Sequence, residues 1–162
     1  MLSEHYINKR IRQNLARQIG RHIPFRNAMI LTDLHYPVDK AFLKKLSQIT
    51  GIPYERMDVL YISDKEVHPD WVTVLKEHLS WNGKIRDPNI RRYFEKNYDL
   101  LIDLSTLDKP KKKLISSGIQ AGFRTGISPE PDFYDLIIRC PGRPEHFLDE
   151  LKKYLEAMKF VP

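Results

Sequence analysis

A cluster of four lysines is the part of the sequence with the clearest chemical meaning. It precedes a short apolar stretch typical of a helix and consists of Lys109, Lys111, Lys112 and Lys113. Cations in the first turn of a helix are unfavourable by roughly 0.3 kcal/mol or more each, because the backbone there already carries partial positive charge. The cluster therefore predicts a site where backbone N–H groups and ammonium groups together hold an anion. A solvated surface, with Asp103 and Asp108 offsetting the charge, stays open as the alternative.

A second group of cations lies near the N-terminus, on a segment that we predict to be a helix over residues 5–22. Its apolar residues recur at every fourth position and form a narrow stripe of Ile7, Ile11, Leu15 and Ile19. The cations on its other faces, or just after it, are Lys9, Arg10, Arg12, Arg17, Arg21 and Arg26. No acid occurs between Glu4 and Asp33. The pattern predicts a surface for RNA or a ribonucleoprotein assembly; a solvated face, a docking surface for a protein partner and a membrane-surface helix are the alternatives.

Polar side chains also follow the predicted strands. Asp33 and His35 come after the first strand, Asp103 and Ser105 after the third, and Arg124 after the fourth. In open parallel sheets, ligands bind outside the carboxyl ends of the strands. These residues therefore support a second hypothesis, in which this rim of the sheet holds a phosphorylated or sugar ligand. The simpler alternative is that strands become polar wherever they leave the core.

The composition is that of a globular protein with an excess of positive charge. The chain has 162 residues, 41% of them hydrophobic, with a net charge of +6. No apolar run approaches the roughly 20 residues that span a bilayer. A single cysteine, Cys140, predicts a reducing and therefore cytoplasmic compartment. No known catalytic or metal-binding motif occurs, so we assign no catalytic residue, metal ligand or cofactor.

Strand-like and helix-like segments alternate along the chain. We predict strands at 27–33, 57–63, 98–105, 119–126 and 134–140, and helices at 38–50, from 87, at 109–117 and from 144. Residues 64–86 fit either a helix or a strand, with a turn at Asn82-Gly83. The strands are continuous apolar runs, which indicates burial on both faces of a parallel sheet. The sequence therefore predicts a three-layer, Rossmann-like α/β domain over 27–162 with about five mostly parallel strands, and a basic helix over 1–26 packed on or beside it.

The runs "YDLLIDLS" and "LISSGIQAGF", within residues 98–126, resemble the N-terminal domain of heptosyltransferase-type glycosyltransferases of the GT-B fold. The resemblance implies a Rossmann-like sheet, but those enzymes bind their donor on a second domain for which 162 residues leave no room. No catalytic residue is therefore carried over. The wider pattern, including "LSWNGKI", "GFRTG" and "DLIIRC", resembles a family of short uncharacterised bacterial proteins.

Taken together, these features favour a non-catalytic domain that binds an anionic macromolecule, RNA or a ribonucleoprotein assembly above all. The alternative is an enzyme or ligand-binding domain related to half of a GT-B glycosyltransferase.

Overall fold

The computed structural model describes residues 4–65, 71–80, 82–139 and 143–161. One six-stranded sheet forms the centre, in the order β3-β2-β1-β4-β5-β6. Its strands are β1 (Ala28–Thr32), β2 (Met57–Ile62), β3 (Val72–Val74), β4 (Asn97–Asp103), β5 (Gln120–Gly126) and β6 (Leu136–Ile137). All five strand pairs are parallel. The predicted Rossmann-like α/β fold is confirmed, with one strand more than the five expected.

Helices cover both faces of this sheet. They are α1 (Glu4–Ala16), α2 (Lys40–Thr50), α3 (Pro88–Glu95), α4 (Pro110–Gly118) and α5 (Pro144–Ala157). One apolar core joins α2 and α5 to the first face of the sheet, and a second core joins α3 and α4 to the opposite face. Burial on both sides explains why residues 28–31 of β1 and 100–102 of β4 are continuous apolar runs.

The N-terminal helix α1 packs on the outer side of α4. Ile7 and Ile11 of its apolar stripe are buried in a third cluster with Leu114 of α4. The helix ends at Ala16, earlier than the predicted residue 22. Beyond it, the Gln18 side chain donates to the carbonyl oxygens of Asn14 and Ser117, which holds the chain in a non-helical path against α4.

Smaller differences from the prediction have local causes. Helix α2 begins at Lys40 rather than residue 38, because the Asp39 side chain caps it by accepting from the Phe42 N–H. Pro37 therefore precedes the helix. The ambiguous segment 64–86 contributes the short strand β3 and the predicted turn, where Leu79 and Ile85 form an antiparallel bridge around Gly83. The last predicted strand is reduced to β6, and Cys140 lies outside the described residues.

Candidate functional site

The strand order reverses between β1 and β4, and the connections from these strands leave toward opposite faces of the sheet. In doubly wound sheets this switch point is where ligands bind. A cavity of about 150 Å³ opens at the carboxyl end of β1. We name it the switch-point cavity; its lining is Asp33, Leu34, His35, Ile62, Ser63, Asp64, Lys109, Lys111 and Lys112. The structure thus brings part of the predicted strand-end rim together with part of the lysine cluster.

Asp33 is the fixed centre of this region. Its side chain is only 3% exposed. Oδ2 accepts from the Thr106 N–H at 3.0 Å and from Lys112 Nζ at 2.9 Å, while Oδ1 accepts from the His35 N–H at 2.9 Å and contacts His35 Nδ1 at 3.1 Å. Burial by itself would raise the pKa of Asp33, but the hydrogen bonds from Thr106, Lys112 and His35 outweigh it and hold the pKa below its ordinary value. Asp33 is therefore a carboxylate at neutral pH.

Lys112 lies between two carboxylates. Its Nζ is 2.9 Å from Asp33 Oδ2 and 2.9 Å from Asp108 Oδ1. Burial would lower the pKa of Lys112, but the hydrogen bonds to Asp108 and Asp33 raise it above its ordinary value. The ammonium group is thus neutralised within the protein, as part of the core rather than as a free anion receptor.

The other three lysines of the cluster each contact a different residue. Lys109 Nζ lies 3.9 Å from Asp64, Lys111 Nζ donates to the Ser63 carbonyl at 2.8 Å, and Lys113 Nζ lies 3.6 Å from Glu130. Lys109, Lys111 and Lys112 nevertheless line the switch-point cavity together, whereas Lys113 is not part of its lining.

Asp103, Ser105 and Arg124 form a separate buried network. Asp103 is fully buried and accepts from the Ser105 N–H and from Tyr134 Oη, and burial raises its pKa. Arg124 donates to the carbonyl oxygens of Ser116, Ile119 and Phe133, and burial lowers its pKa. These contacts bind β4, β5 and α4 to one another. Asp103, Ser105 and Arg124 are not among the described residues that line the switch-point cavity.

Two of the predicted N-terminal cations are paired with acids. Arg26 makes a two-pronged contact with Asp99, at 2.8 and 3.0 Å. Arg21 lies 3.5 Å from Asp135 and over the ring of Phe123. The exposed cations Lys9 and Arg12 lie on α1, and the remaining pair, Arg10 and Arg17, contributes to a second cavity.

This second cavity is an open groove of about 420 Å³ between α1, α3 and α4. We name it the basic groove; its lining is Arg10, Asn14, Arg17, Gly83, Lys84, Ile85, Arg91, Phe94, Leu114 and Gly118. Four of these described residues are cations, and none carries a carboxylate. The arginines donate to neutral oxygens instead: Arg10 Nε to the Asn82 carbonyl at 3.1 Å, Arg17 Nη2 to Asn14 Oδ1 at 2.8 Å, and Arg91 Nε to the Ile85 carbonyl at 3.2 Å.

Two glycines let the elements around the basic groove pack closely. Gly83 has φ +84, and a Cβ there would lie 2.9 Å from Ile7 Cδ1 and 3.0 Å from Leu114 Cδ2. A Cβ on Gly118 would lie 2.9 Å from the Phe94 ring. The Asn-Gly turn therefore packs closely against α1 and α4 and places Lys84 in the same groove lining as the arginines.

Sequence reasoning identified Arg10 and Arg17 but missed Lys84 and Arg91. The turn signal at Asn82-Gly83 was readable, but nothing in the sequence indicated that α1 packs beside it. Among the described residues, no group of three or more His, Cys, Asp or Glu side chains is placed to hold a metal ion. None of the described helices is long and apolar enough to cross a bilayer.

Fold and sites together define a doubly wound, Rossmann-like α/β domain with a basic groove beside its N-terminal helix. The chain belongs to the Family of unknown function (DUF6913), which matches residues 2–158. No curated protein and no solved structure matches the chain. The predicted likeness to an uncharacterised family is thus confirmed, whereas the comparisons give no support to the heptosyltransferase resemblance.

Proposed function

We propose that this protein is a non-catalytic binding domain for an anionic macromolecule, namely RNA, either free or in a ribonucleoprotein assembly. The observation that carries the proposal is the basic groove, whose described lining contains four cations and no carboxylate. Phosphate groups of a bound nucleic acid would supply the missing counter-charge.

The hydrogen bonds of the arginines favour this assignment. Arg10, Arg17 and Arg91 are held by neutral oxygens, which fix the side chains without cancelling their charge. A guanidinium group has five N–H donors in a planar fork, so each keeps donors for a phosphate after one or two such contacts. Pre-positioned cations lose less conformational entropy on binding than free ones.

The surroundings of the basic groove favour a polymer over a small anion. Further exposed cations, Lys9 and Arg12, lie on α1, which forms one wall of the groove. A chain of phosphates contacts several such cations at once, and each contact adds to the affinity. Phe94 in the lining offers an aromatic ring on which an unpaired base could stack. We therefore expect a preference for single-stranded RNA.

A salt series with matched charge reversals tests the proposal. Fluorescence anisotropy of a labelled single-stranded RNA is measured with the natural protein and with the triple variant Arg17→Glu, Lys84→Glu, Arg91→Glu. The control is Lys40→Glu, Lys44→Glu, Lys152→Glu, which changes the net charge equally at exposed positions of α2 and α5, on the opposite face of the sheet.

For the natural protein we expect log Kobs to fall with log salt with a slope of about −3, because each neutralised phosphate of a single strand contributes about −0.7. The groove variant should lose most of the affinity and of the slope, and the control variant should keep both. Equal losses in the two variants would contradict the proposal. A binding partner that survives nuclease treatment and requires α1 would indicate a protein ligand instead.

A further inference from the structure

The switch-point cavity is separate from the basic groove. The two described linings share no residue, and they lie toward opposite ends of α4, which is about 13 Å long at 1.5 Å per residue. Lys109 and Lys112 at the start of α4 belong to the cavity, while Gly118 at its end belongs to the groove. A ligand in the cavity would therefore bind independently of RNA in the groove.

His35 gives this cavity a specific chemistry. Its side chain is 66% exposed, and its Nδ1 faces the buried carboxylate of Asp33 at 3.1 Å. Because a carboxylate only accepts, the neutral tautomer that suits this contact has its proton on Nδ1 and its lone pair on Nε2. The second hydrogen bond, from the His35 backbone N–H to the same Asp33 oxygen, fixes the residue in place. His35 Nε2 is thus an oriented acceptor for a hydroxyl group.

The remaining polar groups of the cavity suit an anion beside that hydroxyl. Lys109 and His35 line the same space, and the side chain of Lys109 is 59% exposed, with Asp64 at 3.9 Å as a loose partner. Asp64 itself is 81% exposed, so it moves aside at little cost. The other carboxylate in the lining, Asp33, is already saturated by hydrogen bonds from protein groups. An ammonium group is therefore available to a phosphate, in the same lining as an acceptor for a hydroxyl.

The size of the cavity limits the ligand. Pockets for drug-sized molecules begin at about 300 Å³, and this cavity has about 150 Å³. A dinucleotide, which doubly wound domains often bind at the switch point, would lie mostly outside it. We propose that the switch-point cavity binds a small phosphorylated alcohol, with the phosphate on Lys109 and a hydroxyl donating to His35 Nε2.

Isothermal titration with three probes tests this assignment: glycerol 3-phosphate, glycerol and inorganic phosphate. We expect saturable binding of one glycerol 3-phosphate per chain, with a higher affinity than for glycerol or for inorganic phosphate alone. His35→Ala should weaken the binding of glycerol 3-phosphate by about fivefold, which corresponds to the loss of one hydrogen bond. It should leave the affinity for inorganic phosphate unchanged. Lys109→Ala should weaken both. Lys45→Ala, at a half-exposed lysine on α2 that also pairs with an aspartate, is the matched control and should change the binding of neither ligand.

The outcomes separate this proposal from the function proposed for the basic groove. The triple groove variant should still bind glycerol 3-phosphate, and His35→Ala should still bind RNA. The cavity proposal is overturned if glycerol 3-phosphate gives no saturable heat, if glycerol binds equally well, or if His35→Ala leaves the affinity unchanged. Failure of RNA binding alone would leave it standing.

Discussion

The start of α4 and the basic groove contain the same kinds of side chain in opposite electrostatic settings. At the start of α4, Lys112 lies 2.9 Å from a carboxylate oxygen of Asp33 and from one of Asp108. In the basic groove, Arg10 and Arg17 donate to a carbonyl and an amide oxygen, which carry no charge. The density of cations along the chain therefore does not measure the positive charge left for a partner.

The difference also separates stability from binding. Removal of a cation that is neutralised inside the fold leaves a buried carboxylate without its partner, so the fold loses stability. A cation among like charges has no such partner within the described groove, so its removal relieves repulsion. Substitutions in the two regions should therefore differ in the sign of their effect on the free energy of unfolding.

Lys112→Met should give the largest loss. Asp33 would remain 3% exposed and charged, with its hydrogen bonds from Thr106 and His35 but without an ammonium group. We expect the free energy of unfolding to fall by about 3 kcal/mol, measured by urea denaturation at neutral pH. The matched control is Lys45→Met, because Lys45 also lies 2.8 Å from an aspartate, Asp149, but with both side chains half-exposed. Equal losses in the two variants would show that burial does not set the strength of the pair.

Asp33→Asn should give a slightly smaller loss that depends on pH. We expect about 2.5 kcal/mol at pH 7, because the amide still accepts one of the hydrogen bonds. The pKa of Asp33 is lower in the folded state than its ordinary value of 3.8. Its stabilisation is therefore complete above the ordinary pKa and is lost as the pH falls through the folded value. Unfolding curves at a series of pH values should show the gap between the variant and the natural protein closing below about pH 4; a constant gap would contradict the assignment.

Gly83→Ala tests the packing that forms the basic groove. The residue has φ +84, and the new Cβ would press on Ile7 and Leu114. The left-handed conformation and the contact together should cost roughly 2 kcal/mol, measured by thermal and urea unfolding. Gly20→Ala is the control, since a Cβ there meets nothing within 4 Å. If Gly83→Ala did not change the stability, close packing of the turn against α1 and α4 would not be required.

The fold was predictable where a single segment carries enough signal. Short apolar runs located β1, β2, β4 and β5, because strands buried on both faces have mainly apolar side chains. The buried polar residues among them, such as Asp103 and Arg124, are hydrogen-bonded inside the fold. In contrast, β3 has three residues and β6 has two, too few for any periodicity to appear. The pairing of these short edge strands depends on contacts with neighbours distant in the sequence.

The candidate sites were predictable residue by residue but not as assemblies. Asp33 and Lys112 were each singled out, for different hypotheses, yet they form one ion pair across 79 positions of the chain. Arg10 and Arg17 were recognised on the basic helix, but their neighbours Lys84 and Arg91 come from a turn and from α3. Only the packing of α1 on α4 brings these cations together, and no local pattern encodes that contact.

Lys84→Gln should have the smallest effect and the opposite sign. Lys84 is exposed and lines the basic groove with three arginines, so removing its charge relieves repulsion instead of breaking a pair. We expect a gain of roughly a few tenths of a kcal/mol at low ionic strength, which disappears in high salt because screening already suppresses the repulsion there. Thermal unfolding at two salt concentrations measures both values. A loss of stability at low salt would place an internal counter-charge near Lys84 and would make the basic groove resemble the start of α4.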